Sequence, residues 1–449
     1  MAVQTSATKA NSASIDHARC KAAAKAGCEG VDVEVARFAN MSAKYMHATP
    51  SPTSHLQPAK RIAIIGAGWA GLAAAVRAVQ TGHSVTVFEA SRSLGGRARA
   101  VEVTLPNGES ITLDNGQHVL LGAYRETLDV MQTVGVDLNA VLTRLPISLR
   151  TFQTQRWRFM DHLSLVRTLA EWLLQGFSCP EGITVMALSQ KASKRVIADL
   201  IEPLCLSALN TAPAEASGRV FLRVLKDAFT SKSYVWKGDR YVSSDMLIPE
   251  IDLGRVFPSH TGSWLQARGS AVRLGTRVAS LQPLQNEFDH VVIATSPWEA
   301  ARLLRDLAPD WAASVDALAY RAIATVYAQA PADFELAKPM LALPSDAQNP
   351  AQFVFARREA KGLLAFVVSD AKGERADLER LVLVQGEARL GVALQPVSTI
   401  VEKRATFACT TQMKRPAKLA LAGLSVVGDY VEGPYPSTIE GAVLSTLQT

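Results

Sequence analysis

The run Gly66-Ala67-Gly68-Trp69-Ala70-Gly71 lies between a short apolar segment and an Ala-rich one, and it restricts the fold more than any other feature. Ile62-Ala63-Ile64-Ile65 reads as a buried parallel strand. Residues 72–80 read as a helix that Gly82 breaks, and Ser84-Val85-Thr86-Val87-Phe88 reads as a second strand with Glu89 at its end. The glycines have separate mechanical jobs. Gly66 permits the tight strand-to-helix turn, Gly68 lets backbone approach a pyrophosphate, and Gly71 lets helix pack closely on strand. The free amides and positive dipole end of the helix would face the phosphates. Glu89 would accept from ribose hydroxyls. Trp69, Ala70 and Ala90 complete this first binding segment. The unit predicts a dinucleotide site and leaves open which dinucleotide fills it.

A chain of 449 residues is too long for one simple core, so two or three interleaved domains are expected. Residues 1–60 are rich in Ala, Ser, Thr and Lys and read as a disordered tail or a misassigned start, with Met41 or Met46 as alternative starts. That segment carries seven Lys/Arg against four Asp/Glu, and the rest of the chain carries 40 against 37. The folded part is therefore nearly balanced, and no basic stripe with interleaved aromatics suggests nucleic acid. A mild attraction to an anionic membrane surface stays open. Five scattered cysteines, Cys20, Cys28, Cys179, Cys205 and Cys409, lack metal-ligand spacing. They read as reduced thiols of a cytoplasmic protein, with no metal site. No apolar run reaches the roughly 18 residues of a membrane span.

Further along, Asn107-Gly108 signals a hairpin. Helical periodicity is expected over 124–142, 161–177, 192–209 and 215–229, and strands near 291–294, 322–329, 352–356, 363–368 and 424–427. Leu163, Leu165, Val166, Leu169, Trp172 and Leu173 recur at helical spacing. Such a face packs a core, lines a tunnel or enters a membrane interface.

Two further motifs bear on the cofactor. Ser91-Arg92-Ser93-Leu94-Gly95-Gly96-Arg97 follows Glu89, and Gly428-Asp429-Tyr430 is followed by Ser437-Thr438-Ile439-Glu440-Gly441-Ala442 opening a helix. Together with the first motif they resemble the amine-oxidase/desaturase flavoproteins. The resemblance implies FAD held by Gly66, Gly68, Trp69, Ala70, Gly71, Glu89, Ala90, Gly95, Gly96, Arg97, Gly428, Asp429, Thr438 and Ile439. It also implies an α/β fold: a Rossmann-like FAD-binding domain, an interleaved α+β substrate domain and a helical cap. The expected division is 61–145 for the first part of the FAD domain, 146–245 for the cap, 246–300 for a return to the FAD domain, 301–415 for the substrate sheet, and 416–449 for the final FAD part.

Asp114-Asn115-Gly116-Gln117-His118, Glu202-Pro203-Leu204-Cys205, Ser244-Asp245-Met246-Leu247-Ile248-Pro249, Thr406-Phe407-Ala408-Cys409 and the closing 428–443 segment narrow the likeness further. They are similar to the squalene-associated desaturases, the hydroxysqualene dehydroxylase family. That likeness implies a hydrophobic isoprenoid substrate, reductive loss of an allylic hydroxyl, and peripheral contact with a membrane. The chemistry needs a proton donor, for which His118, Asp245 and Glu202 are the candidates. Each also has a structural reading: backbone support for His118, a turn for Asp245, a helix cap for Glu202. Residues 151–200 match the family pattern loosely, and Thr446 stands where it has a glycine. Carotenoid-type desaturation, amine oxidation and a non-catalytic nucleotide-binding role are the competing readings.

Overall fold

The computed structural model describes residues 58–448 apart from 149–151 and 153. The expected tail therefore lies outside the described residues except for its last three positions, as do Cys20 and Cys28.

The first sheet has the strand order Ala271–Arg273, Ser84–Phe88, Arg61–Ile65, His290–Ile293, Leu424–Val426, Ala420–Leu421. The first five run parallel and the last pairs antiparallel. Numbered along the chain, the parallel strands lie in the order 3-2-1-4-5, the doubly wound arrangement of dinucleotide-binding proteins. Strand periodicity sends alternate residues to opposite faces. Ile62 and Ile64 accordingly join a core with the helix Trp69–Gln80, and Ala63 and Ile65 join another with the helices Pro297–Leu304 and Pro309–Asp316.

A second sheet is antiparallel, in the order Met340–Ala342, Phe353–Ala356, Leu363–Ser369, Tyr320–Gln329, Gln395–Phe407. Ala324, Val326, Phe366 and Val368 pack beneath Leu378 and Val382 of the helix Arg375–Leu390. The opposite face presents Tyr327, Phe353, Phe355 and Ala365 to a core shared with Trp172, Val185, Val196 and Phe221. These last residues belong to the helical region between Phe159 and Thr230. Within that region Ile197–Ile201 is a π-helical turn that leads into the helix Glu202–Leu209. Pro203 explains the local widening, because it has no N–H to donate to the carbonyl four residues back.

The predicted hairpin forms between Ala100–Thr104 and Ser110–Asp114, with Gly108 at φ +87°. The expected helix over 124–142 breaks into Arg125–Thr133 and Leu138–Val141 before a strand, Leu142–Leu145. That strand and Leu120–Leu121 flank Met246–Pro249 in a small antiparallel sheet. Leu247 of Met246–Pro249 and the following Leu253, Val256 and Phe257 pack into the core of the helix Trp69–Gln80, and the chain re-enters the parallel sheet at Ala271. No helix among the described residues is long and apolar enough to cross a membrane.

The two ends of the described chain are tied by polar contacts. Glu440 accepts from Thr127 N–H at 3.0 Å, Thr127 Oγ1 at 2.7 Å and Glu126 N–H at 3.1 Å. Arg77 donates to Val443 O at 2.8 Å, to Glu126 at 2.7 Å and to Thr446. Thr446, the departure from the family's glycine, thus supplies an acceptor on the last turn. Burial lifts the Glu440 carboxyl to about 7 even though Thr127 and Glu126 donate to it. A raised folded pKa means that the carboxyl's stabilising contribution is full below its ordinary value and is lost as pH rises towards 7. Glu440→Gln removes that titration. The Tm of the variant should fall less than that of the natural protein between about pH 4.5 and 7.5, by the equivalent of at most about 3 kcal/mol. Equal pH slopes would contradict a proton-holding Glu440.

Candidate functional site

Strands 1 and 4 of the parallel sheet leave it side by side, at Gly66 and Ala294, which is the switch point where such sheets bind nucleotides. Gly66 has φ +104°, and a Cβ there would lie 2.6 Å from the Ala294 carbonyl oxygen. A Cβ on Gly71 would lie 1.9 Å from the Gly66 carbonyl oxygen. Helix Trp69–Gln80 therefore starts in contact with the strand exit. Its N-cap is Gly68, with no side-chain cap and no acid in the first turn. Its first amides thus keep their capacity to meet an anion.

The second glycine motif lies directly against the first. Gly68 and Gly95 form a parallel bridge, Gly95 N–H donates to Ala67 O at 2.9 Å, and a Cβ on Gly96 would lie 3.2 Å from Gly68 Cα. Glu89 braces this pair of loops. Its Oε2 accepts from Ala67 N–H at 2.7 Å and its Oε1 from Ser91 N–H at 2.8 Å. Each carboxylate oxygen keeps a further lone pair for a ribose hydroxyl. Ala90 is exposed beside it. Trp69 turns inward, packs 4.7 Å from the Phe257 ring and donates to Ala98 O at 3.3 Å, so only its backbone is left for a cofactor.

The C-terminal motif joins this site through one ion pair. Arg97 Nη2 reaches Asp429 Oδ1 at 2.5 Å and Nη1 donates to Ala405 O at 2.8 Å. Asp429 is buried, so the pair is charge-assisted and costly to break on one side. Ser437, at φ +55°, accepts from Phe407 N–H at 3.2 Å. Thr438 then caps the helix Ile439–Leu444 by accepting from Gly441 N–H at 2.9 Å. The Ile439 and Glu440 amides have no partner inside that helix. Glycine clearances, open amides, a free lone pair on each Glu89 oxygen and the Arg97–Asp429 pair all suit a pyrophosphate joined to two polyhydroxyl arms, as in FAD.

The candidate proton donors are dispersed. His118 lies just before the strand Leu120–Leu121, opposite the far end of Met246–Pro249 from Asp245. Four extended residues separate their levels, about 13 Å. Nδ1 of His118 lies 2.6 Å from the Gly116 carbonyl oxygen. A carbonyl only accepts, so Nδ1 carries the proton, and in the neutral ring Nε2 is a bare acceptor. Burial lowers the His118 pKa to about 4, although the Gly116 contact opposes the fall. His118 is thus neutral near pH 7 and better suited to accept than to donate. Asp245 closes a turn: its carboxylate accepts from Val242 N–H at 3.0 Å and its carbonyl from Gly122 N–H at 2.9 Å. Glu202 begins its helix, half-buried, and burial raises its pKa.

Sequence reading missed the network that supports the His118 loop. Arg357, buried, donates to Gln117 Oε1 at 2.8 Å, pairs with Glu359, and faces Asp114 Oδ2 at 3.3 Å. Gln117 donates to His118 O at 2.9 Å. Thr325 Oγ1 accepts from Gln117 N–H at 3.2 Å, and Tyr327 donates to Asp114 O at 3.0 Å. Burial raises Asp114 to about 7 against the pull of Arg357. Arg357 and Glu359 sit more than 230 residues from Asp114 in a segment without a motif, so only the fold brings them together.

The family described as NAD(P)-binding Rossmann-like domain matches residues 64–134, and flavin containing amine oxidoreductase matches 262–449. The hydroxysqualene dehydroxylase of Rhodopseudomonas palustris is 27% identical over 437 residues, covering 86% of this chain and 96% of that protein. The zeta-carotene desaturase of a Synechocystis strain is 36% identical, over 22% of this chain and 19% of its own. Among solved structures, an oxidoreductase from Methanosarcina mazei superposes with a TM-score of 0.65 at 18% identity, covering 86% of this chain and 99% of that one. The cofactor is FAD, and the protein is an FAD-dependent oxidoreductase.

Two glycine variants separate folding from cofactor binding. Gly71→Ala forces a Cβ into the Gly66 carbonyl and should lower Tm and flavin content together. A Cβ on Gly68 meets nothing nearer than Gly96 Cα at 4.0 Å. Gly68→Ala should therefore keep its Tm without cofactor and lose FAD affinity by at least about tenfold, read by flavin absorbance after dialysis. Full flavin retention in Gly68→Ala would contradict the site.

Proposed function

Because the chain belongs to the hydroxysqualene dehydroxylase family, within the flavin-containing amine oxidoreductases, we propose that it removes the hydroxyl of hydroxysqualene reductively to give squalene for hopanoid synthesis. The observation that carries this reading is the end-to-end likeness to a named dehydroxylase, whereas the likeness to a carotene desaturase covers about a fifth of the chain.

Reduced FAD, when bound, supplies a hydride to carbon. The carbon–oxygen bond breaks, and the oxygen leaves as water after taking one proton, which balances the reaction. The chain's own residues have three tasks. Gly66 to Gly71, Glu89, Gly95 to Arg97, Gly428, Asp429, Thr438 and Ile439 fix the cofactor so that its reactive edge meets the carbinol carbon. His118 Nε2 accepts from the substrate hydroxyl and orients it, a role that a neutral ring performs at pH 7. Glu202, half-buried at the start of its helix, is the remaining acid candidate, and burial shifts its pKa upward. Asp245 shapes the turn and acts indirectly. The apolar helical region supplies the walls for a hydrocarbon. Such a substrate partitions into lipid, so the enzyme works from the cytoplasm at the inner face of the membrane.

The test uses anaerobically reduced, purified protein and hydroxysqualene. Squalene, detected by mass spectrometry, should form in step with flavin oxidation. His118→Ala should keep its flavin and slow squalene formation by about 10²-fold. A reducible flavin that yields no squalene would overturn the reading.

A further inference from the structure

The helix Phe159–Leu174 is apolar on two opposite faces. Its inward face carries Leu165, Thr168 and Trp172, all buried. Trp172 packs 6.0 Å from the Phe221 ring and donates to Leu188 O at 3.2 Å. At 100° per residue these positions cluster on one side. The opposite side carries Phe159, Leu163, Val166, Ala170, Leu173 and Leu174. Phe159 is 78% exposed, Val166 61%, Leu173 66% and Leu174 89%. Single exposed apolar residues are ordinary, but a contiguous row along a 16-residue helix is not. An apolar stripe on a helix calls for an apolar partner, and among the described residues only the inward one has protein packed against it.

Charge selects the occupant. Between residues 155 and 195 the acids Asp161 and Glu171 are paired with Arg195 at 3.0 Å and Lys191 at 3.1 Å, and Glu181 with Arg219 at 2.5 Å. The exposed cations Arg156 and Arg158, just before the helix and at its start, and Arg167 on it have no ion pair among the described residues. Arg167 stands on the edge of the row, between the levels of Met160 and Leu174, where its stem can lie along apolar surface while its head reaches a phosphate. Beside it, a groove of about 780 Å³ is lined by Arg167, Ala170, Leu174 and Gln175 and by the ion-paired Lys191 and Glu171. An apolar row rimmed by cations complements an anionic bilayer: acyl chains for the row, headgroups for the rim.

We propose that the outward face of Phe159–Leu174 is the surface by which this protein docks on anionic membranes, with Phe159, Val166, Leu173 and Leu174 entering the interface and Arg156, Arg158 and Arg167 meeting the headgroups. This rests on the membrane-surface reading above and specifies the face and the lipid charge that serve it. The flavin-loaded full chain is sedimented with phosphatidylcholine vesicles, with or without about one-third phosphatidylglycerol, and without substrate, so failure of docking and failure of the reaction are seen separately. Binding should need the anionic lipid and weaken as salt is raised. The double substitution Leu173→Glu with Leu174→Glu should cut vesicle affinity at least about tenfold while flavin content is unchanged, and Arg167→Gln should reduce the preference for anionic lipid. Binding that is absent, or that the double substitution leaves unchanged, would overturn the proposal. So would a protein dimer that the double substitution dissociates, because a second copy would then own the face.

Discussion

Where the strand Arg61–Ile65 turns into the helix Trp69–Gln80, the backbone passes so closely that no side chain fits at Gly66 or Gly71. A single methyl at Gly71 would run into the Gly66 carbonyl, and one at Gly66 would run into Ala294. The rest of the structure depends on this clearance. It sets the helix axis on the strand exit, points the open amides at the switch point, and puts the next strand of the sheet alongside. A pyrophosphate can reach those amides only because backbone, and not side chain, lines the approach.

One local device would hold half of a large cofactor. The other half comes from residues more than 300 positions later, so the second requirement is a dependable closure of the chain. The strand Leu424–Val426 completes the parallel sheet beside His290–Ile293. Arg97 then reaches across to Asp429, and Arg77 and Glu440 clamp the last helix to two earlier ones. These ties combine charge-assisted hydrogen bonds with burial, so each is expensive to break on one side. The insertion between the two ends is consequently free to build a separate antiparallel sheet and a helical region without loosening the nucleotide site.

Local chemistry was legible in the sequence and long-range chemistry was not. The Gly66 to Glu89 unit could be read because turn, helix and strand signals lie within one short segment and each has a steric cause. The hairpin at Asn107-Gly108 and the cap of the last helix could be read for the same reason. The Arg357, Glu359 and Asp114 network could not, because an isolated Arg-Arg-Glu carries no pattern until the sheet buries it. The acid candidates show a related limit. A sequence shows that His118 can titrate, but only the Gly116 carbonyl fixes its tautomer and only its surroundings lower its pKa. Periodicity likewise grouped Leu165 and Trp172 with Val166, Leu169 and Leu173; the structure divides them between a buried face and an exposed one.

The claim that both ends of the chain build one flavin site is tested most directly by a crystal structure of the protein with its FAD bound. The account predicts the pyrophosphate at the N-terminus of Trp69–Gln80, a ribose hydroxyl on Glu89, and Arg97 and Asp429 both within hydrogen-bond reach of the flavin half. A flavin held by the Gly66 to Arg97 loops alone, with Asp429 and the start of Ile439–Leu444 turned away from it, would contradict that claim.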